Sequence, residues 1–366
     1  MKNRITIVWI GLLCVSCGSG KPGVEGLDTK KYTLSYEGQI KKDLAAFGTA
    51  GITRDLAKKA YEQSTHNRVY VEIKGGQLMP AMTKDTDEVR MTRIKGIYEL
   101  IERASARFGN LPDMSLTFNL MDESQVHKCQ SEPCEILPVF SFQKSKQYAD
   151  ILFPYVPPFL NIKQLHEKMR NKATPFDSKT DALVWRGTHT GGLYDENNWK
   201  TFGRSQLVLK CREMPDSCDA AFSGYAQVTE NGKKAMAGEI GTKAAIPLEE
   251  MQNWKYIASY DGNGWADRFV RLLASSSAIF KQDSPFYEFF EGPVKPYEHY
   301  IPVARDSSDL EIQIKWAREH SKEVQSIIKR ANDFARDELQ QEHVDYYVHR
   351  LLQAYGFLQG YGEIVK

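Results

Sequence analysis

The sequence predicts an α/β fold. Strand-like and helical segments alternate along its 366 residues, and residues 256–281 spell a complete strand–turn–helix–strand unit. A hydrophobic share of 42% beside 26% charged residues supplies enough apolar surface for one large core or two medium ones, and the length favours two domains. Forty-eight basic side chains against forty-seven acidic ones leave a net charge of +1. That balance argues against wholesale attraction to nucleic acid or to an anionic membrane, and no collagen-like or low-complexity tract is present.

At the amino terminus, Lys2 and Arg4 precede an apolar run from Ile5 to Cys17, followed by Gly-Ser-Gly-Lys-Pro-Gly. As a helix that run reaches only ~20 Å, short of the ~30 Å hydrocarbon core of a bilayer. Residues 1–20 therefore read as a signal peptide, with an uncleaved signal-anchor as the alternative, and residues 21–44 as a polar linker. Cys17 is an imperfect match to a bacterial lipidation site, because Cys14 stands three residues before it. The remaining cysteines fall into two close pairs, Cys129 with Cys134 and Cys211 with Cys218. Two local disulfides in an oxidising compartment are the economical reading. A metal site using His127 is the alternative, although neither pair has zinc-finger spacing.

Further along, residues 54–64 have helical spacing and residues 68–73 alternate as a strand. Residues 87–108 form an amphipathic helix, with Val89, Met91, Ile94, Ile97, Tyr98 and Ile101 at three- and four-residue steps. A strand over 115–120 ends on Met121-Asp122-Glu123, and further strands are expected at 138–142 and 182–185. In the most regular stretch, a strand (256–260) meets the tight turn Asp261-Gly-Asn-Gly, then a helix (265–275) and a second strand (277–281). From Ser308 or Asp309 a long helical region extends to about Tyr361.

Several chemistries lack their signatures: there is no Walker A loop, no full dinucleotide fingerprint, no zinc-protease helix and no Gly-x-Ser-x-Gly elbow. Asp85-Thr86-Asp87 could hold a metal on a sugar-nucleotide, but its place at a helix start makes capping the better reading. The loop Asp261-Gly262-Asn263-Gly264-Trp265, with Arg268 and Arg271 beyond it, suits a diphosphate. Glycines let a backbone approach closely, a helix start is electropositive, and a guanidinium pairs bidentately with phosphate oxygens. A structural tight turn is the competing reading. Asp122 sits just past a strand, where α/β proteins place ligands, and a carboxylate there can act as a general base; a turn or cap residue is the alternative. Trp185-Arg186-Gly187-Thr188 has the same placement.

Trp185-Arg186-Gly187, residues 256–268 and the run Lys295-Pro-Tyr-Glu-His-Tyr-Ile-Pro-Val together resemble glycosyltransferase family 90, and residues 109–122 and 138–142 look like its acceptor-side segments. This family contains the protein O-glucosyltransferases and the fungal capsule-associated xylosyltransferases. The resemblance spans roughly residues 45–360, in the family's order. It implies two Rossmann-like domains facing across a cleft, the GT-B type. Residues 45–170 would form the acceptor-side domain and 171–340 the UDP-sugar-binding domain, with 341–366 a terminal helix packing back on the first. It further implies inverting, metal-independent transfer of glucose or xylose from a UDP-sugar to a hydroxyl of a protein or glycan, with no cofactor beyond that donor. By position, Asp122 matches the catalytic base. Thr188, Arg204 (allowing an insertion around 194–198), Asn263, Gly264, Trp265, Ala266, Asp267 and Arg268 match donor-binding positions. Expected partners are the UDP-sugar and a protein or glycan acceptor, not nucleic acid, with a membrane met only through an N-terminal anchor. The expected location is the lumen of the endoplasmic reticulum or Golgi, where activated sugars are imported. The sequence departs from the animal enzymes at Trp265 and Ala266, where those carry a small residue and a serine, and in a shortened segment after residue 142. A non-catalytic carbohydrate- or nucleotide-binding relative is the alternative function.

Overall fold

The alternating run at residues 68–73 becomes the middle of a mixed sheet in a computed structural model that describes residues 6–8, 35–48, 50–64, 66–130 and 134–365. The chain divides into two compact units, one of residues 1–160, 288–292 and 341–366, the other of residues 161–287 and 293–340. The first unit opens with β1 (Thr6–Val8), α1 (Glu37–Leu44), α2 (Arg54–Glu62), β2 (Arg68–Lys74), β3 (Gln77–Leu78) and β4 (Ala81–Thr83). It continues with α3 (Glu88–Phe108), β5 (Met114–Asn119), β6 (Val139–Ser141), β7 (Ile151–Leu152) and α4 (Val156–Leu160). The sheet runs β1-β4-β2-β5-β6-β7, with β3 paired to β2. Every residue of β5 is buried, as expected of a strand covered on both faces. Thr53 caps α2 by accepting from Leu56 N–H, and Asp87 caps α3 by accepting from Arg90 N–H.

The segment expected to be a signal peptide, residues 1–20, lies outside the described residues except for β1. The last part of the expected linker is helical instead: Ile40 and Leu44, four residues apart in α1, are both buried. The stripe on α3 is also rotated from expectation. Val89 is 60% exposed, and the buried face carries Arg93, Ile94, Gly96, Ile97, Leu100, Ile101 and Ala104.

The second unit holds α5 (Ile162–Asn171), β8 (Thr180–Thr188), α6 (Gly203–Glu213), β9 (Cys218–Gly224), α7 (Glu230–Glu239) and β10 (Trp254–Ser259). After these come α8 (Phe269–Leu272), β11 (Ala278–Gln282), β12 (Ile301–Val303), α9 (Leu310–Glu319) and α10 (Ser321–Asp337). Its five strands are all parallel, in the order β9-β8-β10-β11-β12. Trp185, Tyr194, Tyr256 and Phe280 are among the large side chains of its core. Cys211 of α6 is bonded to Cys218 of β9, and in the first unit Cys129 is bonded to Cys134, giving the two local disulfides. His127 packs against the Tyr148 ring, at 4.4 Å between centroids.

One helical expectation is corrected. The helix expected over 265–275 shrinks to the four residues of α8, because Ser275 turns inward: its hydroxyl accepts from Ser277 N–H and its own N–H donates to Leu272 O, which ends the turn. The long terminal helical region consists of three helices, separated at His320, which leaves the helical region at φ −116°, ψ 41°, and again at residues 338–340. The third, α11 (Gln341–Val365), belongs to the first unit and packs on α3, where the buried Asp345 accepts from Arg103 Nε and Nη2 at 3.0 and 2.9 Å.

Lys179 leads to a pH prediction. It is 5% exposed and donates to the hydroxyls of Ser276 and Ser277, and burial pulls its ammonium down to about 7. An unfolded lysine titrates near 10.4, so between those values the unfolded chain holds the extra proton. This group's contribution to stability therefore rises with pH from 7 upward, by at most ~1.4 kcal/mol per pH unit, and is flat below pH 7, where both states are charged. Urea melts from pH 7 to 9 are expected to show that slope in the parent and to lose it in Lys179→Met; an equal slope in both rejects the assignment.

Candidate functional site

Parallel strands deliver their carboxy ends to one edge of the second sheet. The strand order reverses between β8 and β10, the position at which α/β sheets open a crevice for ligands. A pocket of about 530 Å³ lies there. Thr190 and Gly191 line it from the loop after β8, and Gly203 and Arg204 from the start of α6. Asp261, Gly262 and Asn263 follow β10, Gln282 ends β11, and Arg305 and Asp306 follow β12. The N-cap residue of α6, Phe202, makes no side-chain hydrogen bond to the helix start, and the first residues of α6 line the pocket, so the positive end of its dipole is directed at whatever binds.

Hydrogen bonds lock the loops together. Gly191 N–H donates to Asn263 Oδ1 at 2.9 Å. Arg204 donates from Nε to Asp261 O at 2.8 Å, from Nη1 to Thr188 O at 2.8 Å and from Nη2 to Tyr260 O at 3.3 Å. A Cβ on Gly262 would come within 2.8 Å of Thr190 Oγ1 and 2.9 Å of Arg204 Nη2, so a side chain here would have to shift one or the other.

Two cations share one aromatic floor. The guanidinium carbons of Arg204 and Arg268 each lie 5.7 Å from the centroid of the fully buried Trp185 ring. The Trp185 ring in turn occupies the space a side chain at Gly187 would need, 2.5 Å from an added Cβ. Burial lowers Arg204 below the usual guanidinium range, and burial followed by the neighbouring Arg204 charge brings Arg268 down to about 10. Arg268 Nη1 is buried without a hydrogen-bond partner among the described residues. Two guanidiniums lie on one aromatic ring, and Arg204 stands at the start of α6, an arrangement whose positive charge an anion would complement.

The expected donor positions are spread over this framework. Asn263 lines the pocket, Arg204 lines and braces it, and Arg268 lies on Trp185. Thr188 contributes its carbonyl to Arg204, while its side chain is exposed and Thr190 is the pocket residue. Gly264, Trp265 and Ala266 are buried within the loop, and Asp267 is exposed, 3.8 Å from Arg271. The electropositive helix start expected after this loop belongs to α6, because α8 is only four residues long. Arg186 turns away to pair with Asp219 at 2.7 Å, joining β8 to β9.

Asp122 lies in the first unit, three residues past β5. Arg93 holds it: Nη2 donates to Asp122 Oδ1 at 2.6 Å and to Tyr155 OH at 3.3 Å, and the guanidinium packs over the Phe142 and Tyr155 rings. Gln143 Nε2 donates to Asp122 O at 2.6 Å. The carboxylate is therefore fixed in orientation yet 31% exposed, which suits proton transfer with a bound hydroxyl. Asp85 and Asp87 serve locally, accepting from Asn67 N–H and Arg90 N–H, and among the described residues no three His, Cys, Asp or Glu side chains gather as metal ligands.

Arg93, Gln282, Arg305 and Asp306 were not anticipated. An arginine on the stripe that continues through Ile97, Leu100 and Ala104 was a readable sign of a buried partner for a nearby acid. The other three stand at or just beyond the carboxy ends of strands, the placement that drew attention to Asp122.

A family model described as Glycosyl transferase family 90 matches residues 29–366. The chain is 28% identical over 285 residues to Protein O-glucosyltransferase 3 of Mus musculus, covering 76% of this chain and 54% of that protein. It is 27% identical over 351 residues to Protein O-glucosyltransferase 1 of Homo sapiens, covering 89% and 81%. It is also 27% identical over 337 residues to the O-glucosyltransferase rumi homolog of Anopheles gambiae, covering 88% and 78%. The chain spans about half the length of the first of these relatives.

Proposed function

The chain belongs to glycosyl transferase family 90, and on that basis we propose that it transfers glucose or xylose from a UDP-sugar to a hydroxyl of a protein or glycan, with inversion and without a metal. The observation that carries this reading is the paired Arg204 and Arg268 on Trp185, with Arg204 at the start of α6. In the proposed mechanism Asp122 takes the proton of the acceptor hydroxyl, whose oxygen attacks the anomeric carbon from the face opposite UDP. Negative charge then grows on the leaving diphosphate, where the two guanidiniums and the helix dipole supply the positive potential. The two units correspond in this reading to the acceptor-side and donor-binding domains of a GT-B enzyme. Relatives named protein O-glucosyltransferases support a protein acceptor, and two disulfides suit the oxidising lumen of the secretory pathway.

Calorimetric titration of UDP, UDP-glucose and UDP-xylose in the presence of EDTA tests the donor assignment. Micromolar binding is expected, and its absence with all three favours a relative that has lost donor binding. Gly262→Val is expected to weaken UDP by about tenfold, roughly 1.4 kcal/mol, by displacing Thr190 or Arg204. Unchanged affinity in a folded Gly262→Val variant would place the diphosphate elsewhere.

A further inference from the structure

The loop after β12 has an unusual backbone at the pocket wall. Ser307 is fully buried and has φ +60°, a left-handed conformation that a non-glycine residue adopts at a cost. Its surroundings hold it there. The Ser307 and Tyr260 hydroxyls are hydrogen-bonded at 2.8 Å, and Ser307 N–H donates to Ala304 O at 2.8 Å. Ala304 N–H donates to Asp309 Oδ1 at 2.8 Å, and Gln282 Nε2 donates to Arg305 O at 2.6 Å while Gln282 Oε1 accepts from Asp261 N–H. The loop is thereby tied to the ends of both β10 and β11. The strain maintains one geometry: Arg305 and Asp306, both exposed, stand on the pocket wall, with Asp306 Oδ1 oriented by Ser308 N–H at 3.0 Å.

Two acids line this pocket: Asp261, whose charge acts on Arg204, and Asp306 on the loop after β12, whose place beside a site suited to an anion calls for an explanation. Opposite a diphosphate the Asp306 carboxylate is repulsive, and its favourable use is to accept hydrogen bonds from neutral hydroxyls. We propose that Asp306 is a specificity-determining residue that reads vicinal hydroxyls of the donor, held in place by the strained Ser307 turn and by Tyr260 as a positioning residue. This rests on the UDP-sugar reading above. A UDP-sugar carries such hydroxyls on its ribose and on its sugar, and the two sources are separable by titration.

The test compares the parent, Asp306→Asn and Tyr260→Phe, titrated with UDP, 2′-deoxy-UDP and UDP-glucose. Asparagine keeps an acceptor for Ser308 N–H but has one acceptor oxygen where the carboxylate has two. If the ribose is read, Asp306→Asn weakens UDP by about tenfold or more and abolishes the preference for UDP over its 2′-deoxy form. If the sugar is read, UDP affinity is retained and the difference between UDP-glucose and UDP collapses. Tyr260→Phe is expected to move the same ratio in the same direction by a smaller factor, which a general loss of stability does not produce. Parent-like ratios in Asp306→Asn overturn the proposal. So does uniformly tighter binding of all three ligands, the behaviour of a carboxylate that merely repels the diphosphate. A parent that binds none of them removes the UDP-sugar reading itself, which is a different outcome.

Discussion

Asp122→Asn is expected to lower sugar transfer by about a thousandfold while leaving UDP affinity within about twofold of the parent. Asparagine is nearly the same shape and retains an oxygen for the Arg93 Nη2 hydrogen bond, so the side chain should stay where it is. What it loses is the ability to accept a proton. The pocket proposed to hold the donor belongs to the other unit and shares no residue with the Arg93–Asp122 pair, so binding and turnover should separate cleanly. Single-turnover assays with saturating donor, beside calorimetry, measure both quantities. Transfer preserved in Asp122→Asn would remove Asp122 from the mechanism.

Replacing Arg268 by methionine is expected to weaken UDP by a hundredfold or more, about 2.7 kcal/mol, without lowering the melting temperature of the ligand-free protein. The reasoning is electrostatic. In the absence of an anion, Arg268 is buried beside Arg204, which repels it, and Nη1 has no hydrogen-bond partner among the described residues. An apolar side chain of similar length keeps the packing on Trp185 and relieves the repulsion, so stability should hold or rise while function falls. Arg204→Met should differ. That guanidinium donates to the carbonyls of Thr188, Tyr260 and Asp261, and its loss leaves them short of donors, lowering both stability and UDP affinity. Equal destabilisation by the two substitutions would mean that both arginines are structural. Thermal melts with and without UDP discriminate, because a ligand that binds only the folded state raises the melting temperature by an amount that grows with the logarithm of its concentration over Kd.

Local pattern carried much of this arrangement. The alternating residues of β2, the helical periodicity of α3 and the strand–turn–strand of β10 and β11 are decided by neighbours in the chain, and they read correctly from it. Where Asp122 falls relative to a strand end could be read for the same reason. Its partner Arg93 could not be read so directly, because the contact joins residues 29 apart through the tertiary packing of a helix on a sheet. The pocket was legible only in part. Asn263, like Arg268 nearby, stood in a loop that its own glycines and arginines marked for an anion, and Arg204 followed from the family resemblance, whereas Gln282, Arg305 and Asp306 reach the pocket from two further strands whose register no local pattern encodes. The helix after Asp261-Gly-Asn-Gly was overestimated because Ser275 and Ser277 divert the backbone, a competition that periodicity ignores.

Helix α11 has a consequence for biosynthesis. The first unit needs it: Ile52 N–H donates to Leu358 O, Gln359 exchanges hydrogen bonds with Ser115, Tyr355 OH donates to Ser115 O, and Asp345 pairs with Arg103. Most of these contacts join residues more than 240 positions apart, and all of the second unit's residues lie between them in the chain. During vectorial synthesis the unit that begins second has its full complement of residues first, while the earlier one waits, with its α3 face uncovered, until the last turns emerge. A growing chain of this kind offers chaperones a long-lived apolar surface, and truncations that remove α11 should cripple the first unit while sparing the fold of the nested one.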